Sequence, residues 1–328
     1  MPILAAALLP SHAKPDDLIE PLVGWTYFTA WTFPWWIVLS LSLMTGAYLY
    51  GVHLLKRRGD KWSRWRTAGF LSGQGLIAVA SFSFLGVYDS VLFWAHMIQH
   101  MIFNMVAPVF LAASAPVTLA LRVLPGKPRK WLLAFVHSWF AKVLLFPPLT
   151  LGIMMASPFL LYLTGWYELT LVNDFHHDLL HIYLVVIGCL FFMPLLGPDP
   201  QPYRIPYPIR VVMFILTMPF HAFLGVMILG SKRLIAEEWY LAFERDWGVS
   251  PLMDQTWAGA LMWATGDLTM IYAMAVIFVR WIQESQREAR RADRQALREE
   301  RARAAQLAGE GLDSPEKTEL PREDDRHD

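Results

Sequence analysis

Seven long apolar stretches, at roughly 34–55, 67–87, 90–113, 142–164, 175–196, 208–230 and 254–281, divide this chain of 328 residues. A helix needs about 20 mostly apolar residues to cross a hydrocarbon core of about 30 Å, and each stretch is long enough. The pattern predicts an all-α integral membrane protein, a bundle of seven transmembrane helices. Apolar residues make up 55% of the chain and charged residues 17%, the latter gathered between the stretches, so no room is left for a soluble domain of useful size. The formal net charge is zero, which gives no footing for nucleic-acid binding. The partner expected everywhere is the lipid bilayer.

Basic residues set the orientation. Lys56, Arg57, Arg58, Lys61, Arg64 and Arg66 fill the first loop, Arg122, Lys127, Arg129 and Lys130 the third, Arg204 and Arg210 the fifth, and arginines crowd the tail after Trp281. The second and fourth loops hold no Lys or Arg, and in the sixth Lys232, Arg233 and Arg245 are outnumbered by Glu237, Glu238, Glu244, Asp246 and Asp254. The positive-inside rule then places the N-terminus outside and the C-terminus in the cytoplasm.

Three regions are expected: an external N-terminal segment, 1–33; the membrane domain, 34–284; and a charged cytoplasmic tail, 285–328, helical at first and disordered at its polar end. The opening MPILAAALLP lacks the basic start of a secretory signal, so the segment is expected to stay uncleaved. Trp25, Trp31, Trp35 and Trp36 fall near the outer interface, where indoles are favoured. Between 115 and 141, VTLALRVLP and WLLAFVHSWF flank the breaker PGKPRK and read as interfacial helices, with His137 at the surface. The single Cys189 excludes an intrachain disulfide and any multi-thiolate site, and reads as a packing residue.

Histidines inside the spans are the strongest lead to function, because imidazoles in hydrocarbon are costly unless they bind a ligand, carry protons or pair. His96 and His100 lie on the third predicted span, His177 and His181 on the fifth, and His221 on the sixth. At about 1.5 Å per residue, they lie roughly 10 and 15 Å below Asp89, 5 and 10 Å below Asp174, and 14 Å below Gly230. All five thus converge on the outer leaflet. Residues four apart share a helix face, so each i, i+4 pair is a ready bidentate unit. Asp174 and Asp178 continue the second pair's stripe and are placed to orient the imidazoles. His176 points about 100° away from that stripe.

Met97, Met101 and Met105, Met218, and Met262, Met270 and Met274 lie nearby in the sequence pattern. Imidazole with thioether suits copper, Cu(I) above all, better than a hard ion, although methionine is also a common core filler. Asp267 lies about 20 Å down, deeper than the histidines, as a ligand, a second-layer acceptor or a proton-relay group. A lone intramembrane histidine such as His221 can also simply bond a neighbouring carbonyl.

The stretches HMIQHMIFNMVAPVFLAASAPVTLALR (96–122), HHDLLHIYLVVIGCLFFMPLLGPDP (176–200), MPFHAFLGVMIL (218–229) and DQTWAGALMWATGDL (254–268) resemble the multi-spanning CtaG family of bacterial cytochrome c oxidase assembly factors, over roughly residues 30–285. The resemblance implies a multi-pass protein of the bacterial plasma membrane that matures a haem-copper oxidase of the respiratory chain, by supplying copper to the oxidase's catalytic subunit. Periplasmic copper chaperones are the implied upstream partners. It carries His96, His100, His177, His181, His221 and Asp267 over as copper-site residues.

All these candidates lie in the outer half, so presentation of copper at the outer face is favoured over transport. The alternatives are a copper transporter or permease, which needs a polar route through the bundle, and a haem-binding membrane protein. Two haems need ligands at two depths, and the inner half offers only His53. A retinal receptor is disfavoured because the last span has no Lys. Enzymatic activity is not expected, since no nucleophile with a paired base occurs.

Overall fold

The computed structural model describes residues 12–17 and 19–312, with side chains through residue 305. Among these residues every regular element is helical. The chain divides into two compact units, Met1–Ile277 and Phe278–Asp328, a cut that falls inside the last predicted span. In the second unit the described residues are helical through Leu312, with Arg287 and Glu284 paired at 3.8 Å on its exposed face. The polar end expected to be disordered lies, from residue 313, outside the described residues, as does MPILAAALLP.

In the first unit a helix stands at each of the seven predicted positions. After α1 (Thr26–Thr29) come α2 (Trp35–Arg57), α3 (Arg64–Phe82) and α4 (Phe84–Tyr88), then α5 (Phe93–Met101), a π-helical turn (Ile102–Val106) and α6 (Ala107–Ala113). The predicted interfacial pair appears as α7 (Pro116–Val123) and α8 (Gly126–Val136), followed by α9 (Trp139–Leu144). The breaker PGKPRK starts α8 rather than separating helices, because Pro128 falls in a first turn, where a missing N–H costs nothing. Then follow α10 (Pro147–Leu163), α11 (Trp166–Val172), α12 (Asp174–Leu196), α13 (Tyr207–Gly230), α14 (Glu237–Ala242) and α15 (Pro251–Leu312).

By length and composition, α2, the α5–α6 run, α12, α13 and α15 are each able to cross a membrane. A sixth span results if α10 and α11, bent by 67°, act as one. The second predicted span ends early, at Phe82, and Arg64, Arg66 and Gln74 leave α3 less apolar than the rest. Large apolar side chains on α2 and α13, such as Leu43, Met44, Ile215 and Phe223, remain exposed, as a lipid-facing surface requires.

The third predicted span is interrupted at a definite cause. Pro108 has no N–H to offer the Asn104 carbonyl, and the chain widens into a π turn in which the Ala107 N–H reaches Ile102 O instead. The Asn104 carbonyl then faces α12 at Gly188, where a Cβ would come within 2.2 Å of it. Helices in lipid approach closely where small residues meet, and α13 and α15 do the same at Gly225 and Gly259.

Two carboxylates fix helix starts from far along the chain. Asp254, in the first turn of α15, accepts from the N–H groups of Phe93 (3.1 Å) and Trp94 (2.8 Å) and so caps α5, while Arg245 stands 3.4 Å from it. Asp199 does the same for α7, accepting from Val117 N (3.1 Å), Thr118 N (2.7 Å) and Thr118 Oγ1 (2.6 Å). The segment before α1 lies as a strap over the α4–α5 junction: Ala13 and Leu22 pack with Leu85, Val91 and Ala95. Ser90 Oγ donates to Ala13 O (2.8 Å) and Tyr88 OH to Glu20 O (2.8 Å).

Candidate metal centre

The cap from Asp254 and the close seat of α12 on the π turn bring the two histidine pairs face to face. His96 and His100 project from α5 and His177 and His181 from α12, all four buried. Ring centroids are 3.9 Å apart for His96 and His100, 4.5 Å for His177 and His181, 5.4 Å for His96 and His177, and 6.0 Å for His100 and His181. One nitrogen from each of His96, His100 and His177 lies within 4.8 Å of the other two. Nitrogens bound to one tetrahedral ion at about 2.0–2.1 Å sit about 3.4 Å apart, a gap that ring rotations close.

Among the described residues most of these nitrogens have no hydrogen-bond partner: both of His96, both of His181, Nε2 of His100 and Nε2 of His177. An unsatisfied buried polar group costs about 1–3 kcal/mol, so a cluster of them is a set of ligand atoms held ready. Tyr162 orients one of them. Its hydroxyl lies 3.0 Å from His100 Nδ1 and 3.6 Å from Met97 Sδ. With the hydroxyl proton on the sulfur, Nδ1–H of His100 donates to the phenol oxygen and the Nε2 lone pair is left free.

Other candidates are placed differently. His221 is buried on α13, its Nδ1 3.4 Å from Thr217 O of its own helix rather than from a carbonyl across helices, and its Nε2 has no partner among the described residues. It stands apart from the four-ring patch but lines, with His100, Met97, Met101, Asn104 and Met262, a cavity of about 20 Å³, room for one water or ion. Met218 packs against the apolar core instead. Asp267 Oδ2 accepts from Trp263 Nε1 at 2.8 Å, which ties it to its own helix. Asp174 is exposed beside Lys14 (3.5 Å).

Sequence reasoning missed His12 and used Asp89 only as a depth marker. The strap brings His12 onto the cluster: its Nε2 lies 3.3 Å from Asp178 Oδ1, its Nδ1 lies 3.4 Å from Asp89 Oδ2, and Nδ1 also meets Nδ1 of His177. His12, Asp89 and His177 form a second group whose ligand atoms lie within 4.8 Å of one another. Burial alone would push the His12 imidazole down, but Asp89 and Asp178 outweigh it and raise its pKa to about 10. Burial pushes the Asp89 carboxyl up, yet the neighbouring His12 charge holds it below the usual carboxylate value. A lone histidine in a loop carries no periodicity, so only the fold reveals it.

A model of the family described as cytochrome c oxidase caa3 assembly factor matches residues 46–284, a range that takes in the four-ring patch and Asp89 but not His12. Uncharacterised proteins of Mycobacterium bovis and Mycobacterium tuberculosis are each 33% identical over 287 residues, 85% of this chain and 43% of their own length. One of Mycobacterium leprae is 31% identical over 278 residues, 82% of this chain and 42% of its own. The chain therefore spans less than half the length of these curated relatives. No solved structure matches it.

Proposed function

This chain belongs to the family of cytochrome c oxidase caa3 assembly factors, and from that premise we propose that it holds Cu(I) on its buried imidazoles at the outer leaflet and hands it to the oxidase's catalytic subunit. The observation that carries the reading is the row of partnerless nitrogens on His96, His100, His177 and His181. Neutral imidazoles, with the thioethers of Met97, Met101 and Met262 on the adjoining cavity, are soft to borderline donors that bind Cu(I) and release it by ligand exchange. His221 and Asp267 are secondary participants, reached through that cavity and through α15. Cargo of this kind is held and passed on without catalysis, and periplasmic copper chaperones are its upstream source.

In this reading α3 is the seventh span and the chain lies in the bacterial plasma membrane with its N-terminus outside and its C-terminus in the cytoplasm. Support comes from the first and third loops, which meet: Arg58 donates to Arg122 O (3.1 Å), and Arg122 pairs with Asp60 (3.5 Å). Their shared positive charge supports assigning this face to the cytoplasm, and the histidines lie toward the other ends of the α5–α6 run and α12. A haem is disfavoured beside His100 and His221, where the side chains close on about 20 Å³. Transport is disfavoured because the other half of the bundle offers an apolar groove rather than a file of donors.

The deciding measurement is the copper-to-haem ratio of the oxidase purified from cells lacking this chain. The expected result is haem retained with copper and activity lost. Normal copper and activity would reject the assembly role proposed here.

A further inference from the structure

The strap contact goes beyond a Cu(I) site on the four-ring patch. We propose that His12, Asp89 and His177 form a second cation station, for a divalent ion of the imidazole–carboxylate class such as Zn²⁺ or Cu²⁺, sharing His177 with the three-imidazole group. Three residues converge there, each able to offer one ligand atom within 4.8 Å of the others: His12 Nδ1 stands 3.4 Å from Asp89 Oδ2, and His177 faces Asp89 Oδ2 through Nε2 (4.0 Å) and His12 through Nδ1. Two ring nitrogens facing each other need a proton or a metal cation between them. Asp89 is fully buried, with its Oδ2 turned to both imidazoles.

Asp178 supplies what such a site needs around it. Lying 3.3 Å from His12 Nε2, it would accept that N–H with an ion bound, the ion taking the place of the proton on Nδ1. A carboxylate behind a ligating imidazole is the usual device for fixing ring orientation and raising basicity. The donor set separates the two stations by chemistry: two imidazoles with a carboxylate favour Zn²⁺ or Cu²⁺, whereas imidazoles near thioethers favour Cu(I). Because His177 serves both, an ion on the strap side shares a ligand with the inner position, and a pass between them is one ligand exchange. His12 comes from the segment before the matched family region, which makes this station a property of the strap.

The test is Zn²⁺ binding to the purified, metal-stripped full chain, by competition with a chromophoric chelator. Wild type and His100→Ala are expected to bind one Zn²⁺ with equal affinity. Asp178→Asn should weaken it about 10- to 100-fold, and His12→Ala and Asp89→Asn more than that. Unchanged affinity in both His12→Ala and Asp178→Asn would overturn the proposal, as would an equal loss in His100→Ala. Should Asp89→Asn fail to fold, the two strap-side variants still decide, since neither side chain lies in the apolar core. Cu(I) titration of the same samples keeps the readings apart: Zn²⁺ binding with this variant pattern in a protein that takes up no Cu(I) would remove the copper reading and leave the station standing.

Discussion

The first compact unit contains two cavities built partly from the same helix, and they are opposites. Beside His100 and His221, α5, α10, α12 and α13 close on about 20 Å³ with nitrogen, oxygen and sulfur atoms in the walls. Farther along α12, past Val185 and Cys189, a groove of about 940 Å³ opens against α2, α7 and α8, lined by side chains such as Tyr48, Phe70, Leu119 and Val136. The groove's few donors, Asp199, Gln74 and Cys189 among them, are scattered over a large, mostly apolar wall rather than gathered on one point, and hydrocarbon satisfies most of such a wall at little cost. Donors without space exclude everything larger than a water or a bare ion. The crowded half gathers the larger cluster of unpaired polar atoms, six imidazole nitrogens on His96, His100, His177 and His181 against Gln74 Oε1 and Gln201 Oε1 in the groove wall, so retention of the residues asks most for a ligand there.

That contrast can be broken or sharpened by experiment. The largest effect belongs to the ligands themselves: the double variant His100→Ala, His181→Ala should lose essentially all copper by metal analysis of the purified protein, and full copper content would abolish the distinction between the two halves. Next comes Tyr162→Phe, which removes the hydroxyl beside His100 Nδ1 while keeping the ring. Copper affinity should fall about 10- to 100-fold, measured by competition with a Cu(I) chelator, with a stability loss of only about 1 kcal/mol.

The two capping carboxylates offer a matched pair. Asp254→Ala and Asp199→Ala should each lower unfolding stability by about 1–2 kcal/mol, read as a thermal shift in detergent. Only Asp254→Ala should also weaken copper binding, because its cap sits on the helix that carries His96 and His100. Equal copper affinity in both would show that the histidine pairs do not depend on how α5 starts. The smallest effect is expected for Cys189→Ala in the groove wall: copper content should match wild type, and a thiol role in metal handling predicts a drop instead.

What the sequence made legible follows from periodicity. A stretch of 23 residues such as α12 is visible because from Ile182 to Leu196 it is almost wholly apolar, and its boundaries fall within a residue of those expected. His96, His100, His177 and His181 were legible because i, i+4 spacing is itself geometry, and the fold puts the four rings in one patch. Periodicity says nothing about a strap, so His12 was invisible and Asp89 looked like a mere helix boundary. Depth arithmetic also has no azimuth. It set His221 level with the other four, whereas its ring faces a separate cavity wall, and it could not foresee that the Asp267 carboxylate turns to the Trp263 indole. The cap on α5 joins residues 160 positions apart, a distance that no local pattern spans.

The π turn at Ile102–Val106 has a consequence for how the chain tolerates change. One residue more than an α-helix needs is accommodated there, so everything before it on α5 is out of phase, by about 100° per residue, with everything after it on α6. The imidazoles aim at α12 only because that phase slip exists. Deleting a single residue within 102–106 together with Pro108→Ala, which restores the missing N–H, would let the helix heal into regular form, at no loss of apolar character, and would swing His96 and His100 away from His177 and His181. A length change of one in an apolar stretch, which hydropathy cannot register, would with that exchange erase the four-ring patch.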